Sequence, residues 1–251
     1  MRFYLAEDYK ELSRKAAQII FSQVALKPKS VLGLATGSTP LGMYRELVKI
    51  YREEKLSFSD IKTFNLDEYY RISKENPQSY YYYMHKNLFQ YVDIDEKNIN
   101  IPDGEAKDIE GECMRYEEEI LKAGGIDLQV LGIGVNGHIG FNEPDLKFEA
   151  LTHLVELDET TIKANSRFFE SQERVPTRAI SMGIKTIMHS RKILLLANGA
   201  EKVDAIKEAL EGEIKPQVPA SILQLHPNLT VIADKEASQK LSSSIKNRKY
   251  N

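Results

Sequence analysis

The 251-residue sequence contains a single cysteine, Cys113. One thiol cannot form a disulfide within its own chain, which disfavours a secreted fold held by disulfides and favours a reducing cytoplasm. No apolar run approaches the length that a membrane-spanning helix needs. Charged residues interrupt the first stretch, MRFYLAEDYKELSRK, so we also expect no signal peptide.

The sequence also lacks features that attract nucleic acids or hold metals. Its formal net charge is −3, which gives no overall field for attracting nucleic acid or an acidic membrane. The five histidines show no ligand spacing with one another or with the cysteine. We therefore expect neither a metal site nor a nucleic-acid partner.

Short apolar runs typical of buried strands alternate with amphipathic helical segments along the chain. The predicted strands are 31–35, 61–66, 126–134, 178–183, 191–197 and 229–234. The predicted helices are 7–25, 41–54, 79–90, 108–123 and 199–210. This alternation predicts an α/β fold: an open, mostly parallel, twisted sheet of Rossmann-like type with helices on both faces. No linker, repeat or low-complexity tract divides the chain, so we expect one domain over 1–251.

Two segments allow more than one interpretation. Residues 143–175 show weak periodicity and form either an irregular surface connection or a lid, and the neighbouring motifs favour a lid. The tyrosine run Tyr80–Tyr83 could stack on bases, but it has no basic stripe beside it. We interpret it as an amphipathic helix that packs some of its rings on the core.

Three polar segments follow predicted strands, where α/β sheets bind ligands. The first, ATGSTP over 35–40, combines a glycine, hydroxyls and a helix start, which suits a phosphate. It carries neither the GxGxxG spacing nor a Walker lysine. The second contains Asp67, a candidate general base. Taken alone, each segment is better explained without a ligand, the first as a capped turn and the second as a solvated helix cap.

The third segment, GIGVNGHIGFNEP over 132–144, points more strongly to chemistry. Four glycines flank His138 and precede Glu143. Histidine is the natural proton shuttle near neutral pH, and a nearby carboxylate can orient it. The alternative is a histidine satisfied by backbone within a tight turn. We favour the catalytic interpretation, because a loop so rich in glycine loses much conformational entropy on folding.

These segments, in this order, resemble the glucosamine-6-phosphate deaminase (glucosamine-6-phosphate isomerase) family. Further matching stretches cover nearly the whole chain: NPQSYYYYMHKNLF (76–89), ANSRFF (164–169), NGAEKVDAI (198–206) and PASILQLHP (219–227). The resemblance implies isomerisation and deamination of glucosamine 6-phosphate to fructose 6-phosphate and ammonia, in amino-sugar metabolism. The alternatives are a 6-phosphogluconolactonase, which carries an Asp-Gly-His-Thr type stretch in place of NGHIGFNEP, a galactosamine-6-phosphate deaminase, or a non-catalytic sugar-phosphate sensor.

The resemblance also implies the role of each site residue. Asp67 is the base that moves a proton between C2 and C1, His138 opens the sugar ring, and Asn136 and Glu143 flank and tune His138. The substrate end is held by Thr36, Gly37, Ser38 and Thr39, and the phosphate is clamped by Arg167 and Lys202. The substrate carbonyl is the only electron sink required, so no organic cofactor is expected.

Two departures from the family pattern lead to further expectations. Many members have aspartate where this chain has Asn136, so His138 lacks one neighbouring negative charge here. Members activated by an acetylated sugar phosphate carry basic residues where this chain has THLVE (152–156), so we expect no such activation. Family members range from monomers to hexamers, which allows a homo-oligomer.

Overall fold

The structure is a computed structural model that describes residues 1–54, 56–166, 169 and 175–248. Ten strands lie within these residues. They are β1 (Arg2–Ala6), β2 (Val31–Leu34), β3 (Lys62–Asn65), β4 (Asp67–Tyr69), β5 (Ile99–Asn100), β6 (Leu128–Leu131), β7 (His153–Glu156), β8 (Arg178–Ser181), β9 (Ile193–Ala197) and β10 (Leu229–Asp234).

Helices connect most of these strands. The α-helices are α1 (Tyr9–Leu26), α2 (Ser38–Glu54), α3 (Tyr80–Asn87), α4 (Ile109–Lys122), α5 (Glu159–Asn165), α6 (Ile184–Met188), α7 (Val203–Glu211) and α8 (Ser243–Lys246). Short 3-10 helices span Phe89–Tyr91, Glu96–Asn98, Ala200–Lys202 and Pro219–Leu225. In the described ranges, no helix is long and apolar enough to cross a membrane.

The first helix shows how the sequence specifies these elements. The side chain of Asp8 accepts a hydrogen bond from the Glu11 amide at 2.8 Å and caps the N-terminus of α1. Leu12, Ala16 and Ile20 recur at helical spacing and are fully buried. The predicted helix 7–25 is therefore confirmed, with its bounds shifted by one or two residues.

Seven strands form one parallel sheet in the order β1-β10-β9-β6-β2-β3-β5. The central strands β2, β6 and β9 are buried along their whole length, as expected for strands covered on both faces. This confirms the predicted α/β fold with an open, mostly parallel sheet. Five of the six predicted strands lie in this sheet; β1 and β5, at its two edges, were not predicted.

A second, antiparallel sheet has the order β4-β8-β7. The predicted strand 178–183 contains β8, so it belongs to this sheet and not to the parallel one. β7 and α5 lie within 143–175, which corrects the alternative of an irregular connection there; that this segment acts as a lid stays a prediction. β4 and β7 have only three and four residues, too few to show a reliable period.

The order of the strands places a crevice at the carboxyl end of β2. After β2, the chain adds β3 and β5 on one side of β2. It then adds β6, β9 and β10 on the other side. The connections that follow β2 and β6 therefore diverge. In open α/β sheets such a point of reversal is where ligands bind.

Candidate active site

The loop after β2 forms an anion-binding site at the start of α2. Gly37 has a φ of 100°, which lets the chain turn sharply from the strand into the helix that begins at Ser38. The first amides of a helix have no partner inside the helix and attract anions, aided by the helix dipole. The hydroxyl of Thr39 donates to the Asn198 side chain at 2.7 Å, which joins this loop to the end of β9.

Three tyrosine hydroxyls fix the carbonyl groups of the same loop. Tyr44 donates to the Ala35 carbonyl at 2.6 Å, and Tyr83 donates to the Gly37 carbonyl at 2.7 Å. The Tyr9 hydroxyl lies 2.8 Å and 3.1 Å from the carbonyl oxygens of the next two loop residues. These hydrogen bonds fix the conformation of the loop at the start of α2. These tyrosines come from three different helices, and their contacts with the loop were not predicted from the sequence.

Asp67 lies where the chain passes from the parallel sheet to the antiparallel one. The residue before it, Leu66, donates its amide to the Leu34 carbonyl at 3.0 Å, in the parallel sheet. The Leu66 carbonyl accepts from the Met182 amide at 2.7 Å, in the antiparallel sheet. Asp67 then opens β4 and pairs with Ser181 of β8. Both sheets thus hold the backbone that carries this carboxylate.

The surroundings of Asp67 keep its carboxyl group in a state that can exchange protons near neutral pH. The side chain is buried, at 5% exposure. Burial, followed by the nearby charge of Glu68, raises the pKa of Asp67 to about 8. Gly140 approaches this carboxylate so closely that an added β-carbon would lie 3.5 Å from Oδ2. The glycine-rich loop after β6 therefore passes directly over Asp67.

That loop also places His138. Residues 132–137 match the GxGxxG spacing after β6, but no helix begins there, so the segment is not a dinucleotide fingerprint. A β-carbon on Gly134 would lie 2.4 Å from the His138 ring, so only glycine allows the ring this position. Gly137 has a φ of 86°, which turns the chain towards His138.

Glu143 and Asn136 orient His138. The Nδ1 atom of His138 lies 3.1 Å from Oε2 of Glu143, and the Asn136 amide donates to the same oxygen at 2.9 Å. Burial acts to raise the pKa of Glu143, but contacts with His138, Thr161 and Asn136 outweigh it, and the pKa lies below its usual value. An ionised Glu143 favours a proton on Nδ1, which leaves Nε2 to exchange protons with a ligand.

The side chain at 136 acts through hydrogen bonds. Its Oδ1 atom accepts from the His138 amide at 3.2 Å while its Nδ2 atom donates to Glu143. An ionised aspartate could accept the first bond but could not donate the second. Asn136 therefore supports the Glu143 carboxylate directly, without adding a charge beside His138.

Helix α5 closes this network from the other side. The Thr161 hydroxyl lies 3.3 Å from Nδ1 of His138. At the far end of the helix, the Asn165 amide donates to the Tyr69 hydroxyl at 2.9 Å, two residues from Asp67. No role for Thr161 or Asn165 was predicted from the sequence, although Asn165 lies in ANSRFF, one of the stretches that match the family.

One cleft brings the three predicted segments together. Its walls include Thr36, Gly37, Ser38, Thr39, Asp67, Tyr80, Gly134, His138, Phe141, Thr161, Asn165 and Lys202. Asn136 and Glu143 do not line this cleft, but both are hydrogen-bonded to His138. Lys202 ends a 3-10 helix that follows β9, so four neighbouring strands contribute to the site. Arg167, predicted to clamp the phosphate, lies outside the described residues.

The arrangement combines an anion site with two groups for proton transfer. The anion loop and Lys202 suit a phosphate, since a helix N-terminus and a cation both stabilise negative charge. Asp67 has a pKa near the working pH, which is what an efficient acid–base catalyst requires. The cleft can therefore bind a phosphorylated ligand and move protons along it.

Comparison with known proteins identifies the family. The family model described as glucosamine-6-phosphate isomerases/6-phosphogluconolactonase matches residues 6–232. The chain belongs to this family. This family model and the relatives described next together confirm the resemblance drawn from the sequence.

Within the family, glucosamine-6-phosphate deaminases are similar over nearly the whole chain. The Clostridium botulinum (strain Langeland) protein is 64% identical over 241 residues, which cover 96% of this chain and 99% of the relative. The Clostridium acetobutylicum protein is 62% identical over 241 residues, covering 96% of this chain and all of the relative.

Solved structures of the family divide into two levels of similarity. A monomeric glucosamine-6-phosphate deaminase superposes with a TM-score of 0.93 at 47% identity, covering 95% of this chain and 99% of that one. A 6-phosphogluconolactonase from Thermotoga maritima superposes with a TM-score of 0.72 at 22% identity, covering 93% and 99%. The second comparison shows a shared fold alone.

Proposed function

We propose that this chain is a glucosamine-6-phosphate deaminase, which converts glucosamine 6-phosphate and water to fructose 6-phosphate and ammonia. The observation that carries the proposal is the presence of Asp67 and His138 in one cleft with the anion loop. The 62–64% identity with deaminases over almost the whole chain supports it. A sugar-phosphate sensor would need the anion loop but not the two proton-transfer groups.

Substrate binding begins at the phosphate. Thr36, Gly37, Ser38 and Thr39 surround it at the N-terminus of α2, with Lys202 as a cation. The family resemblance adds Arg167 as a second cation. A phosphate held at this end directs the sugar along the cleft towards Asp67 and His138, so that orientation contributes to catalysis.

Ring opening is the task of His138. The closed pyranose has no carbonyl at C1, and its C2 hydrogen is therefore not acidic. His138 takes the proton from the C1 hydroxyl and returns a proton to the ring oxygen, which breaks the ring bond and forms the aldehyde. Glu143 stabilises the imidazolium that forms during this exchange, because its carboxylate lies beside Nδ1.

Asp67 then carries one proton between adjacent carbons. It removes the C2 hydrogen, which the aldehyde has made acidic, while the aldehyde oxygen takes up a proton from solvent, and an enolamine forms; hydrolysis of the later iminium returns one proton to solvent. The same carboxyl group returns the proton to C1 and leaves an iminium at C2. Water adds to this carbon and ammonia departs, which yields fructose 6-phosphate. A carboxyl with a pKa near 8 suits both halves of the transfer.

The proposal is tested by incubating the purified protein with glucosamine 6-phosphate and measuring ammonia and fructose 6-phosphate together. We expect both products in equal amounts. Galactosamine 6-phosphate and 6-phosphogluconolactone serve as parallel substrates. Faster turnover of the galacto sugar, hydrolysis of the lactone alone, or binding of the sugar phosphate without turnover would each overturn the assignment.

Lys202→Met is expected to weaken substrate binding. Hydrogen bonds to charged groups contribute about 1.5–3 kcal/mol, so KM should rise roughly 10- to 100-fold with little change in kcat. The exposed Lys185, which does not line the cleft, offers a matched control, Lys185→Met, because it removes the same charge elsewhere. Steady-state kinetics of both variants make the comparison; an unchanged KM for the first would remove Lys202 from the phosphate site.

The remaining features of the proposal concern the whole chain. We place residues 1–251 in one catalytic α/β domain working in the cytoplasm. The single buried cysteine is compatible with that compartment. The 47% identical structure is that of a monomeric deaminase, which favours a monomer over the homo-oligomer that the family allows. Absence of activation by an acetylated sugar phosphate stays a prediction for the stretch 152–156.

A further inference from the structure

The buried residue next to Asp67, Glu68, has no role in the mechanism above. Its side chain is only 3% exposed, and burying a carboxylate is unfavourable unless it is hydrogen-bonded. Glu68 is well satisfied: Oε1 accepts from the amides of Tyr69 and Tyr80, both at 2.9 Å, and Oε2 accepts from the Tyr81 amide at 2.8 Å. Two of these three donors belong to another element, helix α3.

Glu68 attaches the N-terminus of α3 to β4. The next amide of the helix, that of Tyr82, is capped by the Ser79 hydroxyl at 3.0 Å, so Glu68 and Ser79 together satisfy the amides of the first turn. A carboxylate at this position also interacts favourably with the helix dipole. The side chain of Glu68 therefore determines where α3 begins relative to the strand that carries Asp67.

Helix α3 in turn shapes both ends of the cleft. Tyr80 lines the cleft and stacks on Phe141 with 5.9 Å between ring centroids and 17° between ring planes. Tyr83, one turn later, is the residue whose hydroxyl holds the Gly37 carbonyl of the anion loop. A shift of α3 would therefore alter the wall beside the reacting carbons and the loop that binds the phosphate.

Glu68 itself lies outside the catalytic cleft. It lines a separate pocket on the other side of β4, with Lys74, Tyr81 and Glu96. The segment around Gly104 covers it, because a β-carbon on Gly104 would lie 3.3 Å from Cγ of Glu68. Substrate in the cleft does not touch this side chain, so any effect of Glu68 on turnover acts through other groups.

We propose that Glu68 is a positioning residue for the deaminase reaction: by binding the first amides of α3 it holds Asp67, Tyr80 and the anion loop in one arrangement. The proposal rests on the proposed function. It assigns a role to the acidic residue that directly follows Asp67, in a segment whose predicted role was confined to Asp67.

The charge of Glu68 adds an electrostatic contribution. After burial, this carboxylate is the second cause of the raised pKa of Asp67, and burial raises the pKa of Glu68 itself to about 7 despite its three amide donors. The other titratable side chains near the pair are His138 and Lys202 in the cleft with Asp67, Tyr44, Tyr69, Tyr80 and Tyr116 around Asp67, and Lys74, Tyr81 and Glu96 around Glu68. Burial raises the pKa of each of the four tyrosines around Asp67, which keeps them neutral at the pH of the assay.

The test uses two substitutions that separate charge from geometry. Glu68→Gln removes the charge and one acceptor. We expect kcat/KM to fall about 10-fold, as for loss of a hydrogen bond to a charged group. The acid limb of its pH profile should also move to lower pH, because Asp67 ionises more readily without a neighbouring anion. Glu68→Asp keeps the charge but shortens the reach to α3, so it should raise KM while leaving the midpoint of that limb near the wild-type value.

Hydrogen exchange of the amides of residues 80–82 gives a readout that does not depend on turnover. We expect faster exchange in both variants than in the wild type and in the control Glu105→Gln, an exposed residue in the neighbouring segment. The positioning role would be overturned if the amides of residues 80–82 exchanged at wild-type rates in both variants and the acid limb of Glu68→Gln kept its wild-type midpoint. A wild-type protein that releases no ammonia from glucosamine 6-phosphate would instead refute the proposed function, whatever the exchange data show.

Discussion

Asp67→Asn is expected to lower kcat for glucosamine 6-phosphate by about 10³-fold, because an amide cannot accept the C2 hydrogen and general acid–base groups contribute roughly 10²–10⁴-fold. Binding should be largely kept, since the phosphate is held at the other end of the cleft. The affinity for 2-amino-2-deoxyglucitol 6-phosphate, an acyclic analogue that cannot react, measures this by calorimetry. Asp60→Asn, at an exposed turn, is the matched control. Near-normal turnover in Asp67→Asn would remove Asp67 from its role.

The same substitution should stabilise the protein, which distinguishes loss of chemistry from loss of folding. The pKa of Asp67 is about 8 in the folded protein and about 3.9 in an unfolded chain. Between these values the folded state binds more protons than the unfolded state, so the contribution of Asp67 to stability falls as pH rises through this window. Asparagine does not titrate. The gain in Tm for Asp67→Asn should therefore grow from pH 5 to pH 8, and a gain independent of pH would contradict the raised pKa.

His138→Gln is expected to reduce kcat/KM by about 10²-fold or more, because the ring-opening proton transfers lose their catalyst. Binding of the acyclic analogue should change little, since that molecule needs no ring opening. His189→Gln, an exposed histidine beyond α6, serves as the control. A loss of kcat/KM with unchanged binding of the analogue would place the defect in the step that generates the open-chain sugar.

Exchange of the C1 hydrogen of fructose 6-phosphate with deuterium oxide, in the presence of ammonium ions, separates the two catalytic groups. Fructose 6-phosphate contains some open-chain ketone in solution. His138→Gln should therefore retain more of this exchange than of the deamination. Asp67→Asn should lose both, because the same carboxyl group moves the hydrogen in either direction. Equal losses of exchange and deamination in His138→Gln would contradict a role confined to ring opening.

The sequence was sufficient to predict that the three segments meet. Each segment follows a buried apolar run, and parallel strands bring their carboxyl ends to one edge of a sheet. The loop of His138 was recognisable because so many glycines gather around one histidine. The contact between His138 and Glu143 was predicted from their short separation along the chain, and the structure places the two side chains 3.1 Å apart.

Other parts of the site have no recognisable pattern in the sequence. Tyr9, Tyr44 and Tyr83 reach the anion loop from three helices, and a tyrosine on a helix is equally typical of a packed core. The prediction that some rings of Tyr80–Tyr83 pack on the core was right for Tyr80 and Tyr83, but it did not include the hydroxyls. The antiparallel sheet was missed for a different reason: β4 and β7 are short, and β4 pairs with β8 across more than 100 residues of sequence, as Asp67 does with Ser181.

The attachment of Leu66 to both sheets has a consequence for how this enzyme tolerates sequence change. The anion loop extends from β2, in the parallel sheet, whereas the backbone of the base is also bonded to β8. A small displacement of the antiparallel sheet would therefore move the carboxylate relative to the sugar carbons, and through Glu68 and α3 it would also reach the anion loop. Natural variation at buried sites such as Ala179 should therefore alter turnover and affinity together. Descendants of this protein should seldom change one of these properties without the other.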